Sequence, residues 1–167
     1  MSSSGEEFDR FGDVINGNNG IFGSDTAAME QGLVNFDTAR TVATAQGVVV
    51  EMACRGCGRG VKLTIEYPEL VAVKYNVAPH IAFQGQPNIL QNPVPWAYSP
   101  REQAWWPHYP CNHCRTPCAP LMTPEEAEGH LAKARRNRWI DTAGEQYVAG
   151  IASRAAAAQQ QQAAARR

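Results

Sequence analysis

Long apolar runs are absent from this sequence of 167 residues. No stretch approaches the roughly 18 consecutive apolar residues that a membrane-spanning helix needs. The basic start and the apolar stretch of a signal peptide are also missing from the first residues, MSSSGEEFDRFG. We therefore expect a protein that is made in the cytoplasm, has no membrane partner and keeps its thiols reduced.

Motifs of common catalytic sites are absent as well. The sequence has no phosphate-binding glycine loop, no H-E-x-x-H and no G-x-S-x-G nucleophile elbow. The glycines of the segment 17–23 do not form G-x-G-x-x-G, and no strand pattern precedes them. His80, His108 and His130 lie far apart in the sequence, so each is expected on the surface or in a hydrogen bond. We therefore predict that the protein is not an enzyme and has no catalytic residues.

Charge is nearly balanced over the chain but unevenly distributed. The net charge is −1, which does not favour binding of the whole protein to a polyanion. Residues 1–46 carry seven acidic and two basic side chains, whereas the rest of the chain is mildly basic. Isolated hydrophobic residues occur in this segment without a period of 2 or 3.6. The pattern fits an extended arm that lies on another surface, and it equally fits a disordered segment.

The strand-rich part of the sequence follows this acidic segment. A run of valines at 48–50 leads into the first cysteines, and residues 61–67 then alternate apolar and polar side chains. Pro68 and Glu69 interrupt the alternation, which resumes over residues 71–75. A period of 2 on both sides of a break predicts a β-hairpin with one apolar face, formed by these two runs.

Residues 77–110 contain seven of the eleven prolines and three of the four tryptophans. Proline is disfavoured inside helices and central strands, so the segment is predicted to be a long loop without regular structure. Two interpretations of its aromatic rings remain open. The rings cover the hairpin, because a small core needs buried area, or they form a surface that binds a partner.

Signals for two helices follow the last cysteine. Thr123, Pro124 and Glu126 supply an N-cap, a proline in the first turn and the acid of a capping box. The first helix is predicted to run to about Trp139, with a break over 141–144. A second helix is predicted from about Glu145 into an Ala/Gln-rich tail that has high helix propensity but almost no apolar stripe.

Cys54 and Cys57 form a C-x2-C pair, with Gly56 between them and Gly58 directly after. Glycine lets the backbone curl so that both sulfurs face one ion and amide hydrogens point at the sulfurs. The run Cys54-Arg55-Gly56-Cys57-Gly58 resembles the zinc knuckle of zinc-ribbon and treble-clef modules. This resemblance covers the knuckles and the hairpin, about a third of the chain, and it implies a bound zinc ion.

A second C-x2-C pair begins after an interval of 53 residues, which is longer than in a standard zinc ribbon. Thiolates suit a tetrahedral zinc ion, and four of them leave no open coordination position for catalysis. We therefore predict a structural Zn2+ site formed by Cys54, Cys57, Cys111 and Cys114.

Alternatives to this site remain open at the level of the sequence. Cys118 could replace Cys114, and His113 or His108 could complete a site with three cysteines. An iron–sulfur cluster would accept the same four thiolates. A redox pair is less well supported, because no helix is expected to start at Cys54 and lower the pKa of its thiol.

Nucleic-acid binding is the alternative function, because zinc ribbons often bind nucleic acids. Trp105, Trp106 and Tyr109 would be available for base stacking. The net charge and the acidic N-terminal segment count against this function. The bases that would contact phosphates lie around the first knuckle and near the end of the first C-terminal helix: Arg55, Arg59, Lys62, Arg115, Lys133, Arg135, Arg136 and Arg138.

The expected architecture is an α+β fold with three regions. These are an extended arm over 1–46, a zinc-stapled β core with a Pro-rich insertion over 47–123, and C-terminal helices over 124–167. So small a core needs a staple such as a metal ion. The expected function is that of a non-enzymatic structural or assembly protein whose arm and helical tail bind other protein subunits. An accessory component of a bacteriophage particle is one protein of this kind, which would place the chain in the virion.

Overall fold

The computed structural model describes residues 40–86, 88–118 and 120–165. Most of the predicted arm, residues 1–39, therefore lies outside the described residues. The described chain combines small antiparallel sheets with helices, which confirms the predicted α+β class. Its elements are, in chain order, β1 (Arg40–Ala43), β2 (Gly47–Ala53), β3 (Gly60–Glu66), α1 (Tyr67–Lys74), α2 (Pro79–Ala82), β4 (Trp96–Ser99), β5 (Ala104–Pro107), β6 (Tyr109–Pro110), β7 (Pro117–Cys118), α3 (Pro124–Arg136) and α4 (Thr142–Ala165).

A three-stranded antiparallel sheet in the order β1-β2-β3 forms one side of the core. Strands β2 and β3 pair from Gly47 opposite Glu66 to Ala53 opposite Gly60, so the first cysteine knuckle is the turn of this hairpin. Alternate side chains of β3 are buried and exposed, as expected for a sheet with one face against the core. The sheet therefore presents the knuckle at one end and its apolar face to the helices.

The predicted hairpin of 61–67 with 71–75 is wrong in its second strand, because residues 71–74 belong to helix α1. β3 pairs with β2 instead. Pro68 suits the first turn of a helix, where its missing N–H is not needed, and Glu69 accepts a hydrogen bond from the Glu66 N–H at 2.9 Å. The alternation was misleading because most of α1 is buried, so apolar side chains occur all around it.

Helix α1 lies at the centre of the fold. Leu70, Ala72 and Val73 have no exposed surface. The helix contacts β3 and α2, and it packs against both C-terminal helices. Leu131 of α3 and Ile151 of α4 belong to the same apolar core. The C-terminal helices therefore close the core that the sheet and α1 begin.

Residues 77–110 are more regular than predicted. They contain α2 and the two-stranded sheet of β4 and β5. Pro79 lies in the first turn of α2 and Pro107 ends β5, which are positions where the missing N–H of proline is tolerated. Trp96 packs into the main core, which supports the first interpretation of the aromatic rings, while Trp106 is buried in a separate small cluster. His80 is hydrogen-bonded, as expected, because its Nδ1 accepts from the Trp96 N–H at 3.0 Å.

The start of α3 confirms the predicted capping box. The Thr123 hydroxyl accepts a hydrogen bond from the Glu126 N–H at 3.1 Å, and the Thr123 N–H donates to the Glu126 carboxylate at 2.8 Å. The helix ends before the predicted Trp139 because Arg138 adopts a φ of 57°. This turn lets the Trp139 N–H donate to the Ala134 carbonyl at 2.9 Å, which is the bond of a Schellman motif.

Helix α4 begins at Thr142, three residues before the predicted Glu145. Its buried residues are Val148, Ile151 and Ala152, and its residues from Ala157 to Ala165 are all exposed. None of the described helices has both the length and the apolar character that crossing a membrane requires. The helix therefore packs by its first half and extends past the body with its second half.

Four charged side chains join the three long helices. Arg135 of α3 lies 2.7 Å from the Glu128 carboxylate and 2.8 Å from that of Glu145 in α4. Lys74 of α1 lies 2.7 Å from the same Glu128 carboxylate. Hydrogen bonding to Lys74 and the charges of Lys74 and Arg135 lower the pKa of Glu128. These groups are partly exposed, so the network orients the helices more than it stabilises them.

Glu69 of α1 is buried, with 1 % of its surface exposed. The Trp96 indole N–H donates to its Oε2 at 2.8 Å, and the Glu66 N–H donates to its Oε1. Burial raises the pKa of Glu69 to about 7, although both hydrogen bonds act in the opposite direction. The carboxyl therefore links α1 to β4, and its ionised form makes the folded state less stable than its neutral form does.

This burial makes stability depend on pH in a defined direction. The pKa rises from 4.5 to about 7 on folding, so the folded state binds the proton more tightly than the unfolded state. The contribution of Glu69 is fully present below pH 4.5 and is lost as pH rises through 7. Between pH 4.5 and pH 7 this effect lowers the free energy of unfolding by roughly 3 kcal/mol, and Glu69→Gln should remove it.

The measurement is the free energy of unfolding against pH for the protein and for Glu69→Gln, with their difference taken at each pH so that other titrations cancel. Glu125→Gln, a change of the same charge at an exposed position of α3, is the control and should leave the slope intact. Identical slopes in the protein and in Glu69→Gln would contradict the assignment.

Candidate metal centre

Four cysteine sulfurs meet at the turns of the two cysteine hairpins. We call the part of the fold that contains the strands the β-rich half. The Sγ atoms of Cys54, Cys57, Cys111 and Cys114 all lie within 4.8 Å of one another. Cys54 Sγ and Cys114 Sγ are 3.4 Å apart, and Cys57 Sγ and Cys111 Sγ are 3.8 Å apart. Tetrahedral zinc with Zn–S bonds of about 2.3 Å places its sulfurs about 3.8 Å apart. The four predicted cysteines therefore come together with the spacing of a tetrahedral metal site.

Each knuckle is the turn between two antiparallel strands, which we call its ribbon. The first connects β2 to β3, and the second connects β6 to β7, in which Tyr109 pairs with Cys118. Antiparallel pairing brings the ends of each ribbon together, so the C-x2-C segments are held in tight turns. The cysteines are positioned by these ribbons, and the 53-residue interval is occupied by the rest of the hairpin, α1, α2 and β4 to β6.

The backbone of the two knuckles repeats the same hydrogen bonds. The N–H of the fifth residue donates to the carbonyl of the first cysteine, from Gly58 to Cys54 at 2.8 Å and from Arg115 to Cys111 at 3.0 Å. Each first cysteine also donates its own N–H to the sixth residue's carbonyl. The fifth residue has a positive φ in both cases, 77° at Gly58 and 67° at Arg115. The second knuckle thus forms without the glycine that suits this position.

Amide hydrogens point at the first sulfur of each pair. The Gly56 N–H donates to Cys54 Sγ at 3.3 Å, and the His113 N–H donates to Cys111 Sγ at 3.4 Å. Hydrogen bonds of this kind stabilise thiolates and orient them toward a metal. Backbone amides therefore point at sulfur in both knuckles, as predicted for the turn at Gly56.

Gly56 has a second role that spacing alone did not indicate. A Cβ built at Gly56 would overlap the Thr116 hydroxyl and would lie 3.0 Å from Cys114 Sγ. The two knuckles therefore touch at this point, and glycine allows the approach. Gly58 differs, because nothing lies within 4 Å of a Cβ built there and glycine is favoured only by the positive φ.

Burial divides the four thiols into two kinds. Cys54 and Cys111 are fully buried, whereas Cys57 and Cys114 are exposed. Burial raises the pKa of Cys54 well above its usual range. The Thr116 hydroxyl, 3.2 Å from Cys114 Sγ, lowers the pKa of that thiol to about 6. The cluster therefore includes a sulfur that is readily ionised, and a bound cation would stabilise the thiolate form of the others.

The alternates for the fourth ligand lie beside the cluster. Cys118 is buried, and its Sγ donates to the Thr116 carbonyl at 3.4 Å. Burial raises the pKa of Cys118, against a hydrogen bond from the Arg55 backbone. The His113 ring is exposed, and this residue contributes its backbone N–H to Cys111. Neither side chain belongs to the group of sulfurs that meet within the described chain.

The prediction that Arg55 belongs to an exposed basic surface is wrong. This side chain has 3 % of its surface exposed, so it is not available to bind nucleic acid. Burial lowers its pKa, and the nearby Cys118 and Cys54 act to raise it. Because Arg55 lies between the two cysteines of a knuckle, the turn that presents the sulfurs also directs its guanidinium inward. A buried cation beside the sulfurs offsets part of the negative charge of a thiolate cluster.

The other predicted bases are distributed over several elements of the fold. Arg135 is engaged in the ion pairs of the helix network. The remaining six are exposed and belong to two separate parts of the fold, with Arg59, Lys62 and Arg115 in the knuckles and β3, and Lys133, Arg136 and Arg138 at the end of α3. The tryptophans predicted to stack are partly or fully buried, with the Trp105 indole N–H bonded to Asn76 at 3.0 Å.

The different roles of the two glycines give a matched test. Gly56→Ala should separate the knuckles and weaken zinc binding by at least about tenfold, because its Cβ would overlap Thr116. Gly58→Ala should cost about 1 kcal/mol of stability through its φ of 77° yet keep the metal affinity. Zinc affinity is measured by competition with a chelator, and stability by chemical denaturation.

Gly129→Ala is the control, because this glycine lies in α3 with nothing within 4 Å of a Cβ built there. That change should raise helix stability by roughly 0.5–1 kcal/mol and leave the metal in place. Equal zinc affinities for Gly56→Ala and Gly58→Ala would show that the two knuckles do not touch through Gly56.

Comparison of the chain with protein-family models, curated proteins and solved structures finds no match. The likeness to zinc knuckles therefore rests on the two C-x2-C turns, and no family is identified. What the cluster offers chemically is four sulfur ligands in tetrahedral spacing, which fits a metal ion that prefers thiolates.

Proposed function

We propose that the protein is a non-enzymatic structural subunit of a protein assembly, and that one zinc ion fixes its two knuckles against each other. The convergence of four cysteine sulfurs carries the metal part of this proposal. The site would supply all four ligands of a tetrahedral ion, so no coordination position remains for water or substrate. The ion therefore holds the fold and takes no part in chemistry.

Zinc is favoured over an iron–sulfur cluster by the dimensions of the site. Sulfur separations of 3.4 and 3.8 Å surround a space suited to one ion. Iron–sulfur clusters also use four cysteines, but they place several iron and sulfide atoms between them. Two N–H···S bonds and short hairpin turns are also typical of the environment of a single structural zinc.

The assembly role is supported by the second half of α4. Residues 157–165 are alanines and glutamines, and all of them are exposed. At about 1.5 Å per residue they extend the helix by roughly 13 Å past the last residues that pack against the core. Alanine favours helix formation, and its small side chain lets another helix approach closely. We therefore assign this segment, named the α4 extension, as a contact for other protein subunits.

The metal proposal predicts one zinc ion per chain in a colourless preparation, measured by elemental analysis and absorption. Cys118→Ser is the control and should keep the ion, because that sulfur lies outside the cluster. Visible absorption of an iron–sulfur cluster, or loss of zinc in Cys118→Ser alone, would contradict the assignment. Zinc should be lost on replacement by serine of any one of Cys54, Cys57, Cys111 and Cys114.

The assembly proposal predicts that a chain ending at Ala156 loses association but not stability. The α4 extension buries nothing within the described chain, so its removal should change the thermal midpoint by no more than about 2 °C. Sedimentation velocity over a range of concentrations should show oligomers for the full chain and monomers for the shortened one. Lys133→Ala, an exposed change on α3, should alter neither property. Monomers at every concentration of the full chain would count against self-assembly through α4.

A further inference from the structure

Strand β3 is one of the two edge strands of the three-stranded sheet. It pairs with β2 on one side, and the sheet order ends there within the part of the chain that the structure describes. In an antiparallel sheet, alternate N–H and C=O groups of an edge strand point away from its neighbour. Such an edge can accept an extended peptide as an additional strand.

An open groove runs along this edge. Two cavities of about 220 and 420 Å³ adjoin there, and both are lined by Lys62 and Tyr109. Residues 60–62 line the first cavity and residues 62–64 line the second. Successive side chains of a strand point to opposite faces, so cavities lined by consecutive residues lie against the strand's edge and not against one face. We name this space the β3 groove.

The far wall of the β3 groove is formed by Asn92 and Val94 and by residues of the second knuckle. Both parts are held in place. The Asn92 N–H donates to the Glu66 carboxylate at 3.0 Å, which ties this wall to the end of β3. Tyr109 pairs with Cys118 in the β6–β7 ribbon. The groove therefore exists before any peptide enters it.

Charge across the sheet indicates what kind of peptide fits. Arg40, Glu51 and Lys62 lie side by side on β1, β2 and β3. The Glu51 carboxylate lies 3.5 Å from the Arg40 guanidinium, so its charge is already paired on that side. Lys62 is exposed, and neither cavity has an acidic residue in its lining. An acidic residue on a fourth strand would continue the alternation of charges, and opposite charges on neighbouring strands attract.

We propose that the β3 groove binds an extended acidic peptide of another protein, which adds as a fourth strand beside β3. An aspartate or glutamate of the peptide lies next to Lys62. The residues before and after it are apolar, because they point to the same side of the sheet as the buried Val61 and Leu63. This surface is separate from the α4 extension, so the proposal does not depend on the assembly role.

The probe is a short synthetic peptide of alternating valine and glutamate, titrated into the full zinc-loaded chain. Residue-resolved amide exchange should show that the outward amides of β3 are fast in the free protein and become slow with the peptide. A peptide of alternating valine and lysine should bind more weakly by roughly tenfold. Methylation of every second backbone nitrogen of the peptide should abolish binding when it blocks the N–H groups that face β3. Methylation of the other nitrogens should leave binding intact, as strand addition requires.

Lys62→Glu reverses the charge beside the groove and should reverse the preference between the two peptides. Lys62 is exposed, so the new repulsion between this glutamate and Glu51 should weaken the fold only slightly and leave the metal in place. Lys133→Glu, the same charge change at an exposed position of α3, is the matched control and should keep the preference for glutamate. This pair separates a contact at β3 from a general effect of net charge.

Three results would overturn the proposal. The first is failure of the glutamate peptide to bind, or equal binding of both peptides. The second is slow exchange of the outward β3 amides in the free, dilute protein, which would show that the chain's own residues cover the edge. The third is protection that grows with protein concentration alone, which would identify a second copy of this chain as the occupant.

Discussion

The meeting of four cysteine sulfurs is the contact on which the β-rich half depends, because it joins two turns separated by 53 residues. Four sulfurs within 4.8 Å of one another repel when they are ionised, so a cation between them favours the thiolate form. A metal ion turns this repulsion into four bonds. A cross-link that closes a loop of 53 residues removes about 4 kcal/mol of chain entropy from the unfolded state, which is comparable to the net stability of a small domain.

The helical half is held by different interactions, which converge on α1. Its apolar residues pack against the sheet on one side and against α3 and α4 on the other. Glu69 ties the start of the helix to Trp96 in the Pro-rich segment, and Lys74 at its end belongs to the ion pairs with α3 and α4. The cysteine cluster joins the knuckles, and α1 joins the helices. Strand β3 connects the two halves, since it begins at the first knuckle and continues directly into α1.

Features encoded by neighbouring residues could be predicted from the sequence, as the capping box at Thr123 and the C-x2-C turns illustrate. Features decided by distant packing could not. Residues 71–75 alternate like a strand, but α1 is surrounded by core, and burial overrides a period that normally distinguishes solvent from interior. Arg55 looked like a surface base because charge usually remains in water. Its burial depends on the second knuckle, which is remote in sequence.

The metal centre and the β3 groove share their walls. Gly60 ends the first knuckle and lines the groove, and Cys111 and His113 of the second knuckle line it on the opposite side. The separation of these walls is therefore set by the same contact that brings the four sulfurs together. If the cluster holds a metal ion, its loss would release one wall from the other and would widen or close the groove. A metal ion at the cluster would in this way control whether the proposed peptide can add beside β3.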